Sequence, residues 1–220
     1  MNNLYKAVIF DLDGTLLDTL TDLYESSNKM LSSSGYPLRT IDEIRQFVGN
    51  GMKKLVERCL PADVEEKEFE FLYNRFREIY SENMENNTRP YESIEECLET
   101  LKNMGVLSIV VSNKNHDAVN NLCNKYFGKL ITASYGVRDG VLPKPSKEMV
   151  KIALDKFSLK EDECIFVGDS ETDILTAKNT GIMSVGVLWG FRSREVLEKT
   201  GADKIINNPT EIVDLIKKNT

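Results

Sequence analysis

The chain has 220 residues, enough for one substantial core or for a core domain with a smaller companion. Its formal net charge is −7 and its 28 basic residues are scattered, which excludes the basic tract of a nucleic-acid binder. No apolar run reaches the length of a membrane span, and the opening Met1-Asn2-Asn3-Leu4-Tyr5-Lys6 leads into a run too short for a signal sequence, so a cytoplasmic location without nucleic-acid or membrane partners is expected.

The first element is the apolar run Ala7-Val8-Ile9-Phe10, which reads as a buried strand and ends at Asp11-Leu12-Asp13-Gly14-Thr15. From there to about residue 86 the periodicity turns helical, with apolar positions at Leu20, Leu23 and Tyr24, at Ile44, Phe47 and Val48, at Met52, Leu55, Val56 and Cys59, and from Phe69 to Tyr80. Beyond Pro90, helical patterns over 93–104, 117–126, 147–157 and 174–179 alternate with short β-branched runs at 107–111, 130–133, 164–167, 184–188 and 204–206. Strand and helix in alternation predict an α/β fold, with a doubly wound parallel-sheet (Rossmann-like) core. The helical block interrupts that core, so residues 1–17 and 87–220 are expected to form one domain and residues 18–86 an inserted helical-bundle cap.

Cys59, Cys97, Cys123 and Cys164 form no Cys-x-x-Cys pair and lie away in sequence from the single histidine, so buried, reduced thiols are expected. That histidine, His116, sits among polar residues near a helix start and reads as a solvated surface residue rather than a base. Trp189-Gly190-Phe191 follows a strand and reads as packing at least as much as a border of a site.

Chemistry concentrates where strands end. Asp11 and Asp13, two apart after a buried strand with Gly14 beside them, can direct a carboxylate and a carbonyl at a divalent cation, an arrangement suited to nucleophilic attack on a phosphoryl group. Ser112, after Val110-Val111, can donate its hydroxyl to a phosphate oxygen, with the Asn113 backbone N–H helping if the next helix starts there. Gly49-Asn50-Gly51 followed by Lys53 offers backbone donors and a cation for a small anionic leaving group, or simply joins two helices.

The order Asp11-Leu12-Asp13-Gly14-Thr15, Val110-Val111-Ser112-Asn113, Lys144-Pro145 and Gly168-Asp169-Ser170-Glu171-Thr172-Asp173 resembles the four motifs of the haloacid dehalogenase superfamily. Within it, the stretches around Gly49-Asn50-Gly51, Thr88-Arg89-Pro90-Tyr91 and Ser112-Asn113-Lys114 resemble phosphoglycolate phosphatases. The resemblance implies an α/β core with a helical cap and a Mg2+ ion held by Asp11, the Asp13 carbonyl and Asp169, with Asp173 orienting that set from behind. It further implies Asp11 as nucleophile, Asp13 as acid and base, Lys144 as the cation over the phosphoryl group, and Ser112 and Asn113 on its oxygens. Many relatives carry a second proline where this chain has Lys147, which makes Lys147 a rival to Lys144.

The expected activity is Mg-dependent hydrolysis of a small phosphorylated metabolite, 2-phosphoglycolate first, by a monomer or homodimer. The alternatives are a sugar-phosphate mutase of the β-phosphoglucomutase type and an inorganic pyrophosphatase. Asp13 argues against a dehalogenase, which lacks the second aspartate of the first motif.

Overall fold

The protein is described by a computed structural model covering residues 5–218. Chain contacts divide it into two compact units, residues 1–17 with 90–220 and residues 18–89.

In chain order, β1 (Ala7–Phe10) is followed by the short β2 (Leu17–Asp18) and four helices, α1 (Leu20–Ser33), α2 (Ile41–Phe47), α3 (Met52–Cys59) and α4 (Glu66–Asn83). The chain returns through β3 (Arg89–Pro90), which pairs with β2, so both crossings between the units run through one two-stranded ribbon. Then come α5 (Ile94–Asn103), β4 (Leu107–Asn115), α6 (His116–Tyr126), β5 (Ala133–Val137), α7 (Glu148–Phe157), β6 (Cys164–Gly168), α8 (Glu171–Thr180), β7 (Met183–Val187), α9 (Arg194–Thr200), β8 (Lys204–Ile206) and α10 (Thr210–Lys218).

Six strands form one sheet in the order β5-β4-β1-β6-β7-β8, and each described pairing is parallel. β1 lies centrally because all four of its side chains are apolar and fully buried, a run that suits a strand covered on both faces. Its alternation divides the core. Val8 and Phe10 join Val110, Ile165 and Val167 under α5, α6 and α10, while Ala7 and Ile9 join Ile109, Val111 and Phe166 under α7. From β1 the chain builds outward through β4 and β5, then crosses to the other side for β6, β7 and β8. That reversal opens a crevice at the carboxyl ends of β1, β4 and β6, where such sheets bind ligands.

The helical unit is held by its own core, including Met30, Leu31, Ile44, Leu55, Val56, Leu72 and Phe76, with Phe76 and Tyr80 stacked at 5.6 Å. α2 opens on a capping box in which Thr40 Oγ1 accepts from Glu43 N at 3.2 Å and Glu43 Oε2 accepts from Thr40 N at 2.7 Å, a device that stabilises a helix start by about 1 kcal/mol. The ends of the insertion are tied by Asp22, a buried carboxylate that accepts from Asn87 N, Thr88 N and Thr88 Oγ1 at 2.8–3.1 Å.

Three local expectations are corrected. A strand expected at 130–133 forms at Ala133–Val137, because 128–130 closes as a 3-10 turn after α6. β4 runs on to Asn115, past the apolar run that marked it, through an irregularity between Val111 and Asn115. α9 and α10, whose short amphipathic stretches gave no separate signal, complete the fold.

Candidate active site

Asp11 leaves the end of β1, and its backbone N–H donates to Val167 O on β6 at 2.9 Å. The chain then folds back on one carbonyl, with Leu16 N and Leu17 N donating to Leu12 O at 3.0 and 2.9 Å. Gly14 takes φ +87°, which an L side chain adopts only with strain. A Cβ at Gly14 would sit 2.5 Å from Asp169 Oδ2, and one at Gly190 would sit 2.3 Å from Asp169 Cβ and 2.4 Å from Gly14 O. Two glycines therefore let the loop after β1 and the loop after β7 close around the carboxylate that ends β6.

Lys144, on the loop between β5 and α7, is almost completely enclosed and bridges two carboxylates, with Nζ 2.7 Å from Asp11 Oδ1 and 2.7 Å from Asp173 Oδ1. Asp173 turns its other oxygen to Ser170 N at 3.0 Å and Ser170 Oγ at 2.6 Å, capping α8. Asp169 accepts from Thr15 Oγ1 at 3.2 Å and from the Phe191 N–H at 2.8 Å. Lys147 is exposed at the start of α7, so geometry separates it from Lys144.

Ser112 is buried on β4, where its Oγ accepts from Lys114 N at 3.2 Å. The helix after β4 does not start at Asn113. Its first residue is His116, capped by Asn115 Oδ1 on Asp117 N at 3.0 Å. Asn113 instead grips the Lys144 backbone, accepting from Lys144 N at 2.7 Å and donating to Lys144 O at 3.0 Å, so it sets the loop that delivers that lysine. Asp13 meets Lys114, with Nζ 3.1 Å from Oδ2. His116 is half-buried rather than solvated and accepts from Gly136 N at 3.2 Å.

The residues expected in the helical unit have partners inside that unit. Gly49 and Gly51 both take positive φ, at 117° and 86°, and Gly51 precedes α3. Asn50 Oδ1 accepts from Arg58 Nη2 at 2.8 Å, while Arg58 Nη1 donates to Phe47 O at 2.7 Å, so the loop is braced. Lys53 Nζ lies 2.7 Å from Glu70 Oε1 and over the Phe69 ring.

One ammonium does not balance three buried carboxylates. Burial first, then the charge of Asp173, pushes Asp11 up to about 7 despite Lys144. Asp169 is raised well above the usual carboxylate range by burial, then by Asp173 and Asp11. Burial opposes the charge on Lys144, yet Asp11 and Asp173 outweigh it and hold the ammonium above the usual lysine range. Oxygens of Asp11, Asp169 and Asp173 lie within 4.8 Å of one another, and an all-oxygen cluster in excess negative charge fits a hard divalent cation.

Sequence reasoning missed several contributors. Thr15 and the Phe191 N–H hold Asp169, Ser170 holds Asp173, and Lys114, quoted only within a longer motif, reaches Asp13. A lysine placed directly after Ser112-Asn113 at a strand end was the one available signal; backbone donors and glycine contacts leave none.

Parallel strands bringing buried carboxylates and a buried lysine to the crevice at their carboxyl ends define an α/β enzyme with an acidic site at the switch point of its sheet. The family model for haloacid dehalogenase-like hydrolases matches residues 8–187, and the chain belongs to that family. It is 32% identical over 218 residues to a phosphoglycolate phosphatase of Neisseria gonorrhoeae, covering 95% of this chain and 92% of the relative. It is 30% identical over 224 residues to one of Mannheimia succiniciproducens, covering 98% and 100%. A solved structure of a candidate phosphoglycolate phosphatase from Lactobacillus delbrueckii subsp. bulgaricus superposes with a TM-score of 0.93 at 30% identity, over 96% of this chain and 98% of that one. A candidate β-phosphoglucomutase from Bacteroides vulgatus shares the fold, with a TM-score of 0.79 at 21% identity over 98% and 90%. The chain is a phosphatase that resembles phosphoglycolate phosphatases.

Proposed function

We propose that the protein hydrolyses 2-phosphoglycolate with Mg2+ through an aspartyl-phosphate on Asp11. The observation that carries this reading is the buried Lys144 ammonium, 2.7 Å from both Asp11 and Asp173 in a cluster short of positive charge. A carboxylate approaching a phosphate dianion meets repulsion, and a fixed ammonium beside it lowers that barrier as the phosphoryl group arrives.

Asp11 attacks phosphorus, the bond to the leaving oxygen breaks, and that oxygen takes a proton from Asp13. Asp13, now a carboxylate, removes a proton from water, which attacks the phosphorus of the aspartyl-phosphate. Asp11 leaves as a carboxylate, inorganic phosphate departs, and Asp13 is protonated again. Ser112 donates its hydroxyl to a phosphoryl oxygen, and Asn113 contributes through the Lys144 backbone it holds. The Asp11 and Asp169 carboxylates and the Asp13 carbonyl are the groups that would hold Mg2+, which when bound supplies Lewis-acid neutralisation of the phosphoryl charge. Asp173 fixes Lys144 and is itself fixed by Ser170.

We take residues 1–17 and 87–220 as the catalytic core and residues 18–86 as the cap. Choice of leaving group is assigned to the cap, with Gly49, Asn50, Gly51 and Lys53 as candidates. The identity of relatives covering nearly the whole chain supports the substrate.

Phosphate release with Mg2+ from 2-phosphoglycolate, pyrophosphate, β-glucose 1-phosphate and several sugar phosphates tests the reading, with Asp11→Asn as control. A clear preference for 2-phosphoglycolate, abolished in the variant, is expected. Isomerisation of β-glucose 1-phosphate without phosphate release, or a preference for pyrophosphate, overturns it.

A further inference from the structure

Lys114 is the second buried ammonium of the strand ends. Its side chain is 2% exposed and places Nζ 3.1 Å from Asp13 Oδ2. The position is built. Lys114 N donates to Ser112 Oγ at 3.2 Å where the pairing of β4 with β5 shifts register. Gly136 of β5 closes against this stretch so tightly that a Cβ there would lie 2.5 Å from Lys114 O and 2.7 Å from His116 Cα, and its N–H donates to His116 Nδ1 at 3.2 Å. Burying a lysine costs several kcal/mol unless it meets a partner, and Lys114 reaches the carboxylate of Asp13.

The other oxygen of Asp13 is in the opposite condition. Asp13 Oδ1 is buried and has no hydrogen-bond partner among the described residues. An ammonium only donates, so Oδ2, which faces it, can only accept. A carbonyl-type oxygen accepts from an ammonium better than a protonated one, so a proton on Asp13 is favoured on Oδ1, the oxygen left without a partner.

We infer that Lys114 is a positioning residue that fixes Asp13 Oδ2 as the acceptor and so presents the acidic proton of Asp13 on Oδ1. The inference rests on the acid role of Asp13 proposed above. Without Lys114 the carboxyl group rotates between equivalent states, and proton delivery to the leaving oxygen loses its fixed direction. The chemistry that suffers is expulsion of poor leaving groups, since an alkoxide needs a proton as the bond to phosphorus breaks and a stabilised phenolate does not.

The test is kcat/KM with saturating Mg2+ for a series of alkyl and aryl monophosphates ordered by leaving-group pKa, in the wild type, Asp13→Asn, Lys114→Met and Lys114→Gln. kcat/KM reports steps up to the first irreversible one, transfer to Asp11 with loss of the leaving group. The wild type is expected to be nearly flat and Asp13→Asn steep. Lys114→Met should lose about 10²-fold on alkyl phosphates, the lower range of general-acid effects, and under about 3-fold on 4-nitrophenyl phosphate. Lys114→Gln keeps a donor toward Oδ2 and should recover part of the alkyl loss; it also carries the test if the Met variant does not fold.

An equal loss on every substrate in both Lys114 variants, with Asp13→Asn steep, overturns the inference and leaves the acid role of Asp13 standing. A flat Asp13→Asn series overturns that acid role, and the inference with it.

Discussion

Gly190→Ala reaches the candidate metal site with a single added methyl group. The added Cβ would stand 2.3 Å from Asp169 Cβ and 2.4 Å from Gly14 O, roughly 1 Å inside ordinary van der Waals contact on two sides. Neither neighbour is a flexible chain end, because Asp169 is anchored by Thr15 Oγ1 and the Phe191 N–H, and Gly14 lies in the loop folded back on Leu12 O. Relief must therefore displace the Asp169 carboxylate from Asp11 or open the loop that carries Asp13. Displaced ligand support typically costs about 10–100-fold in metal affinity, and a shift near 1 Å in a catalytic group can cost about 10²-fold in rate. The strain should also lower stability by about 1–3 kcal/mol. Activity titrated with Mg2+ reads the first two effects and urea unfolding the third. Gly105→Ala is the control, since Gly105 has φ +73° and no heavy atom within 4 Å of an added Cβ, so it carries backbone strain without touching the site. Wild-type Mg2+ activation and kcat/KM in Gly190→Ala, or losses matched by Gly105→Ala, would refute the argument that Gly14 and Gly190 are glycines in order to admit Asp169.

Three further outcomes are expected. Asp22→Ala strips the buried Thr88 of a charged acceptor for both its N–H and its hydroxyl, at about 1.5–3 kcal/mol each, so urea unfolding should show a loss of about 3–6 kcal/mol; a loss below about 1 kcal/mol contradicts the clamp. Lys144→Met leaves Asp11 and Asp173 facing each other without a cation and should cut kcat by about 10³-fold or more, whereas Lys147→Met, on an exposed side chain, should stay within about 2-fold; similar losses in the two variants would remove Lys144 from its assigned role. Burial pushes Cys97, Cys123 and Cys164 up to about 12 and Cys59 up to about 11, so at pH 8 all four stay protonated and a disulfide reagent should label no thiol in the folded chain and four in denaturant. Rapid labelling of one thiol before unfolding would show that its burial is wrong.

The parts of the fold that were legible are those dominated by local periodicity. Ala7-Val8-Ile9-Phe10 reads as a central strand because four consecutive apolar residues need cover on both faces, and the structure supplies it from α5, α6 and α10 on one side and α7 on the other. The four helices of the insertion appear where apolar residues recur three and four apart. β5 was misplaced because Leu130-Ile131 is as apolar as a strand but follows directly on α6, where the chain closes a 3-10 turn, while the true strand contains Ser134 and Gly136, a composition set by tertiary contact. The extension of β4 through Asn113 and Lys114 was hidden for the same reason: these polar residues meet partners far away in the chain, Lys144 and Asp13.

The site was legible through its charges and obscure in its supports. A carboxylate at a strand end is visible as a letter, but what holds it is a backbone N–H at Phe191, a hydroxyl at Thr15 or the absence of a Cβ at Gly190, and none of these differs in sequence from an ordinary loop residue. Physics makes such supports necessary. Asp11, Asp169 and Asp173 are buried together with one lysine between two of them, so each repels the others, and burial favours the neutral forms of Asp11 and Asp169. Left to itself, such a cluster would relax by rotating its side chains apart or by admitting water. Fixed donors on each carboxylate and a loop closed around Asp169 prevent both, so the excess charge stays available for a cation and a phosphoryl group. The costly feature and the useful one are the same feature, and the undistinguished residues around it are what allow the chain to keep it.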